Sequence, residues 1–567
     1  MREKLLAVLL ILASILAVAA LTWNSPSEPV IQKFVDPAWK NWTVKRLELA
    51  QDPVTGGWSG VHFTITPSIY ATYHGTLALE LLNLTPKDPQ KTVEFLRDYE
   101  TKVYAGQNSR SNVDVLDIYY LLVLFDKFNL TPQYGRTLEH LIIKDMEESE
   151  PSIIHARSLI LLNSTLARNV SMSLWLSLEP EHSLEFVWSF LQYRELLLES
   201  GYSINEIPNY TKMHNLALAV FNDASRELDD PGFYDAYILA HFIKEENIQN
   251  ETLKKHLLEA IFKYKCPDGS YSDMVGEERG HIDTTHWAVE AITYLGGKVG
   301  EDTVCYLRSR ESPLGGFIKI PNFIVPNPVN TGFSVIVLRY LNSTVPKEEK
   351  VKEYLLTRLS TEDEPPVMWV EYRALKELGV PREELRGAAE PRIREFIAST
   401  NLSEIYHNHY LLRDIYYLLL TSNELGIKID PQWNGTVKSL VLSLRDDDGG
   451  FGSRITSVET IRLETTLYSV LVLNELGYGY RDEKTVEFIK SQRDGALWRF
   501  LPTTRYALLA LNSLGAKIDR KEEMINALEL AKCPYGFFSY GSCENPESGD
   551  IMATFQVLEI LRLIDEN

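Results

Sequence analysis

His281-Ile282-Asp283-Thr284-Thr285-His286 is the densest group of chemically able side chains in the chain. Asp283 and His286 stand three apart, so on a helix one face presents both. With His281 beside them they are candidate ligands for a divalent metal, the one cofactor this pattern suits. Without a metal, an Asp–His pair suits general acid–base work near neutral pH. The plainer alternative makes Asp283 a helix N-cap and His286 a core imidazole. Aligning similar segments on their threonines puts His74 in the column of His286, with His155, Asp114 and Asp117 as further candidates at the same mouth. His286, Asp283, His74 and Asp114 are therefore the candidate catalytic residues, with Trp287 and Tyr73 as candidate ligand-binding aromatics beside them.

A second group gathers Trp369, Glu371 and Arg373, then His407, His409, Arg413 and Asp414, then Arg462, Glu464 and Arg505. Arg373, Arg413 and Arg505 are candidates to clamp a diphosphate or carboxylate, because guanidinium forks match such groups. The alternative is that Arg413–Asp414 and Arg462–Glu464 are ordinary ion pairs. Asp446, Asp447 and Asp448 run into Gly449-Gly450-Phe451-Gly452. They read as the polar lip of a glycine turn, with a calcium site as the competing reading.

A repeat must position these residues. A turn rich in Gly and aromatics, followed by a Thr/Ala/Leu helix, recurs along the chain. "QDPVTGGWSG" (51–60) precedes "YATYHGTLALELLNL", "CPDGSYSDM" (266–274) precedes "DTTHWAVEAITYLG", and "ESPLGGFIKI" (311–320) precedes "NTGFSVIVLRYL". Two more such turns lie at 493–501 and 533–541. Self-similarity of this kind signals a repeat architecture. The Thr/Ala/Leu segments are apolar nearly all round, as buried helices are, whereas "RDEKTVEFIKSQ" carries one charged face.

Each unit thus reads as an outer amphipathic helix, a turn and an inner buried helix. The pattern predicts inner helices near 70–84, 112–126, 152–165, 183–199, 232–246 and 283–296, then near 329–342, 367–379, 410–425, 463–477, 503–516 and 550–564. Twelve hairpins divide into two sixes. The expectation is an all-α chain of two α/α toroids, residues 30–310 and 311–567, after an N-terminal segment 1–29.

At 567 residues the chain exceeds one ordinary core. Its net charge of −21 repels phosphate backbones, so no nucleic-acid partner is expected. "MREK" and the uncharged run Leu5–Trp23 predict a membrane-spanning helix with the remainder outside the cytoplasm. Ala17-Val18-Ala19 also fits a cleavage site, so anchor and signal peptide both stay open. Ten Asn-X-Ser/Thr sequons agree with export and glycosylation. In an oxidising compartment the four cysteines have three pairings, of which Cys266–Cys305 with Cys533–Cys543 is the most local.

The Gly-Gly-aromatic turns feeding "TTxxAxxAL" helices resemble the superfamily of protein prenyltransferase β subunits and squalene or terpenoid cyclases. "DDDGGFG", "TGGWSG" and "RDGALW" are similar to its QW-type repeats. The resemblance covers nearly everything after residue 38 and implies the toroid fold and an apolar, aromatic-lined cavity. It also implies catalytic sets that this sequence lacks. No DxDD is present, and although Asp283–His286 resembles the DxxH around the family's zinc-binding His, no DxC accompanies it.

No P-loop, nucleotide fingerprint, HExxH or Gly-x-Ser-x-Gly element occurs. Three functions stay in view. The first is an extracytoplasmic toroid, anchored or secreted, that binds an isoprenoid or other lipid-like ligand. The second is a non-catalytic glycosylated platform for a protein partner. The third is a glycan-active enzyme using Asp114, Asp117 or Glu371.

Overall fold

The computed structural model describes residues 30–59, 65–106, 114–227, 230–320, 325–452, 455–545 and 548–566. The expectations for the N-terminal helix fall outside these residues. Among the described residues there are 25 α-helices and no strand, and no helix is long and apolar enough to cross a membrane.

The chain begins with α1 (Val30–Phe34) and the outer helix α2 (Pro37–Ala50). Six hairpins follow. Their inner helices are α3 (Ile69–Leu81), α5 (Val115–Lys127), α7 (Ile153–Leu161), α9 (Leu184–Glu199), α11 (Phe233–Glu245) and α13 (Ile282–Tyr294). The outer helices between and after them are α4 (Pro89–Gly106), α6 (Gly135–Glu148), α8 (Ala167–Ser177), α10 (Tyr210–Glu227), α12 (Glu251–Phe262) and α14 (Glu301–Ser309). Each inner helix packs on the next, and α13 packs back on α3, which closes the first ring.

The second ring repeats the plan. Its inner helices are α15 (Pro328–Tyr340), α17 (Pro365–Glu377), α19 (His409–Leu425), α21 (Glu459–Glu475), α23 (Leu501–Ser513) and α25 (Ile551–Glu566). Its outer helices are α16 (Glu348–Leu359), α18 (Arg382–Ser399), α20 (Pro431–Ser443), α22 (Glu483–Ser491) and α24 (Lys521–Leu530), with α2 as the sixth. Contact of α15 with α25 closes it.

The ring limits differ from the expected 30–310 and 311–567. The compact units are 61–324 on one side and 1–60 with 325–567 on the other. The reason is an exchange of turns. In every unit of this kind a threonine of an inner helix accepts the N–H of the turn's aromatic residue, as Thr285 does from Tyr271 (3.0 Å) and Thr466 from Phe451 (2.9 Å). The turn at 51–58 gives the Trp58 N–H to Thr331 of α15, at 2.9 Å, and skips the helix that follows it in sequence. The turn at 311–317 gives the Phe317 N–H back to Thr72 of α3, at 3.0 Å. Phe317 then lies so close to α3 that a Cβ on Gly75 would stand 2.4 Å from its ring, hence a glycine in mid-helix.

Inner helices end alike. Asn83, Asn129, Asn163 and Asn342 follow helix C-termini with φ between 49° and 56°, and Gly379 and Gly477 take the same place with φ of 76° and 70°. This left-handed position frees the N–H to cap a helix carbonyl, as Asn83 does to Glu80 at 2.8 Å. Four sequon asparagines therefore have a backbone reason to be asparagine.

Two sequence expectations need correction or sharpening here. Cys533 is bonded to Cys543, but Cys266 and Cys305 are free. Cys266 is buried in its turn with Sγ on the Tyr264 carbonyl, whereas Cys305 is exposed on α14. In the aspartate-rich turn, Asp446 and Asp448 accept Arg462 at 3.0 and 2.5 Å, so a guanidinium occupies the place a cation would take.

Candidate functional site

In the first ring the two helices of the closing seam bring the key residues together. His74 of α3 and His286 of α13 face each other with their Nδ1 atoms 3.1 Å apart. One residue turn away, the Tyr70 hydroxyl donates to Asp283. Burial, then the facing imidazole and Lys319, push the His74 pKa well below its ordinary value. Burial likewise lowers that of His286, against the pull of Glu290. Both imidazoles are therefore neutral at pH 7.

Aromatic rings enclose the pair. Tyr73 lies 4.9 Å and Trp287 5.9 Å from the His74 ring, and Tyr73 packs on Tyr120 at 4.5 Å. The belt continues through Tyr237, 6.2 Å from Trp287, to Trp188. Glu290 ends it, accepting the hydroxyls of Tyr237 (2.8 Å) and Tyr294 (2.7 Å) with His241 3.3 Å away. Burial raises the Glu290 carboxyl, but His241 and Tyr294 outweigh it and hold the pKa at about 2, so the group is ionised.

The remaining first-ring candidates lie elsewhere. Asp114 is exposed and caps α5 by accepting the Leu116 N–H at 2.9 Å. Asp117 accepts the Tyr99 hydroxyl at 2.6 Å. His155 is fixed between Ser152 and Asp145. His281 stands at the N-cap of α13 without a side-chain capping bond. The expected metal set His281, Asp283 and His286 does not converge, because Asp283 turns to Tyr70 and His286 to His74. Among the described residues no three His, Cys, Asp or Glu side chains are grouped to hold a metal ion. The zinc set implied by the resemblance therefore does not fit here.

The second ring gathers charge. Glu559 of α25, 1% exposed, accepts Arg373 of α17 at 2.5 Å and Arg562 at 3.1 Å, and Arg505 of α23 stands at 3.9 Å. Tyr340 of α15 bonds both Glu559 and Arg373. Burial raises the Glu559 carboxyl, yet the three guanidiniums prevail and hold it at about 2.

Arg505 is 3% exposed and its Nε has no hydrogen-bond partner. Its Nη1 reaches the Tyr417 hydroxyl at 3.3 Å, and its guanidinium lies 5.3 Å from the rings of Trp369 and Tyr506. Burial works against its charge, but Tyr417 and Glu559 more than compensate, so it stays cationic. Arg373 and Arg505 thus share one anion in an aromatic surrounding, whereas Arg562 has a second carboxylate, Glu566, at 2.5 Å. Arg413 is not in this cluster; it closes on its neighbour Asp414 at 2.9 Å.

Glu371 is fully buried, beside Arg358 of α16, with both carboxyl oxygens lacking a partner. Burial first, then Glu362, push its pKa up to about 9. It is a buried neutral acid at pH 7.

Sequence reasoning missed Glu290, Glu559 and Tyr340. A signal existed for two of them. Glu290 and Glu559 each follow the turn-binding threonine, Thr285 or Thr554, by five positions, which puts them on the inward face together with Arg373 of the aligned helix.

A helical toroid with Gly-aromatic turns docked on threonines is thus the class of protein that fold and site define. The profile of the prenyltransferase alpha-alpha toroid domain matches residues 235–363 and 395–567, and the chain belongs to that family. No curated protein matches the chain.

Proposed function

We propose that this toroid protein binds an amphiphilic anion, an isoprenoid or other lipid-like chain with a phosphate or carboxylate head, inside its second ring. The observation that carries the reading is the imbalance of two guanidiniums, Arg373 and Arg505, against the single carboxylate of Glu559, while Arg562 is balanced by Glu566 at 2.5 Å. A buried cation in excess calls for a counter-anion, and the Nε of Arg505 makes no hydrogen bond. Guanidinium forks suit phosphate or carboxylate, and Trp369, Phe555 and Tyr506 around them suit an apolar tail.

The run Leu5–Trp23 supports an extracytoplasmic place at the membrane, where such ligands are found. The test is a calorimetric titration with geranylgeranyl diphosphate and with geranylgeraniol, on the wild type and on Arg505→Gln. Binding of the diphosphate alone, weakened at least about tenfold (1.4 kcal/mol) by the substitution, is expected. Equal binding of both compounds, or none, would overturn the reading.

A further inference from the structure

In the second ring the large apolar side chains left in water gather at one end. Each inner helix is followed by an outer helix that runs back, so the inner helices all point the same way and start at one rim. Val325 stands two residues before Asn327, the N-cap of α15, and Tyr410 lies in the first turn of α19. Val458 and Phe500 are the N-cap residues of α21 and α23. Tyr540 stands beside Asp550, which caps α25 by accepting the Met552 and Ala553 N–H groups. All five are at least half exposed. Among the described residues of this ring, Tyr478 is the one such side chain just past the far end of an inner helix.

We propose that the rim carrying Val325, Tyr410, Val458, Phe500 and Tyr540 docks on the surface of a lipid bilayer. Apolar side chains gathered on one exposed face mark a surface that something apolar covers. The N-terminus says what covers it. Phe34 of α1 stacks on Phe538 at 5.8 Å, and the Phe538 N–H goes to Thr554 in the first turn of α25, so α1 sits at this same rim. Seven residue steps separate Val30 from Trp23, the end of the apolar run Leu5–Trp23, and they span at most about 25 Å. A bilayer that takes up this run therefore lies within reach of the rim.

The side chains suit a headgroup boundary, where aromatic rings collect. Arg499 is exposed with its guanidinium 5.2 Å from the Phe500 ring, placed to meet a lipid phosphate. Glu364, the N-cap of α17, and Glu459 are also exposed at this end, so a zwitterionic surface fits better than an anionic one. Arg505 of the proposed anion site lies five residues along α23 from Phe500, about 7–8 Å below the rim. Docking rests on the membrane location proposed above and not on that anion site.

The test is photo-labelling of the full chain in phosphatidylcholine vesicles that carry a photoreactive phosphatidylcholine, with labelled peptides located by mass spectrometry. Label is expected on the peptides holding Tyr410, Val458, Phe500 and Tyr540 and not on that holding Tyr478. The triple variant Tyr410→Ser, Val458→Ser, Phe500→Ser, checked for native helicity, should lose label at the unchanged Tyr540 by a factor on the order of five, because interfacial binding scales with apolar area. Its label within residues 1–29 should stay the same. Label confined to 1–29, or unchanged label at Tyr540 in the variant, would overturn docking and leave the membrane location standing. A full chain that does not float with the vesicles would overturn both.

Discussion

Glu371 and Glu559 show how the same residue type on inner helices of one ring takes opposite roles. Glu559 is ionised because three guanidiniums meet it. Glu371 is neutral because its buried oxygens meet no donor. Its folded pKa of about 9 lies above the unfolded value, so the native state holds a proton that the unfolded chain releases. Stability from this group is therefore greatest below about pH 4.5 and falls as pH rises toward 9. Glu371→Gln should match the wild type at pH 4.5 and exceed it at pH 7 by on the order of 2–3 kcal/mol. Urea unfolding at several pH values measures this; parallel pH profiles for the two proteins would refute it. Glu371 was legible as a titratable residue on an inner helix, but its seclusion was not, since that depends on what α16 places opposite it.

At the scale of elements, the caps and the disulfide carry the clearest expectations. Asn129 sits at φ 52°, a conformation that costs an ordinary L-residue roughly 1–2 kcal/mol. Asn129→Ala should lose about 1 kcal/mol and Asn129→Gly should be close to neutral; thermal unfolding distinguishes them, and an equal loss in both would point to the side chain instead. Cys533 and Cys543 close a short loop, whose opening should cost about 2–3 kcal/mol by chain entropy. That loss should appear in unfolding with and without reductant, and Cys533→Ser should abolish the difference.

The inner helices were readable because a threonine, an apolar run and an Asn or Gly cap recur in fixed register. The exchanged turns were not. Trp58 and Phe317 each fit any threonine of this type, and only closure of the rings decides which one each receives. Cys266 and Cys305 misled for a related reason, because an even cysteine count says nothing about which thiol is buried in a turn. The His74–His286 column was visible in the register of the repeat, whereas the meeting of Arg373, Arg505 and Glu559 depends on helices far apart in sequence.

At the scale of the whole molecule, one ring is continuous in sequence and the other is not. Residues 61–324 should therefore fold alone into a helical unit with cooperative urea unfolding. Residues 325–567 alone should fall short of this until a peptide covering 30–60 is added, which circular dichroism and gel filtration would report. Cooperative folding of 325–567 without the peptide would contradict that division. The second ring is clasped by α2, where the Trp39 indole bonds the Phe537 carbonyl at 3.3 Å, Thr43 accepts the Phe537 N–H, and Arg46 reaches the Gly536 carbonyl. Trp39 and Phe537 are 498 positions apart. During synthesis α2 leaves the ribosome early and waits for nearly the whole of translation before its seat exists, while the first ring can finish in the interval. The second ring can therefore close only once the turn holding Gly536 and Phe537 has been made, so a chain arrested before that turn would leave α2 without its seat.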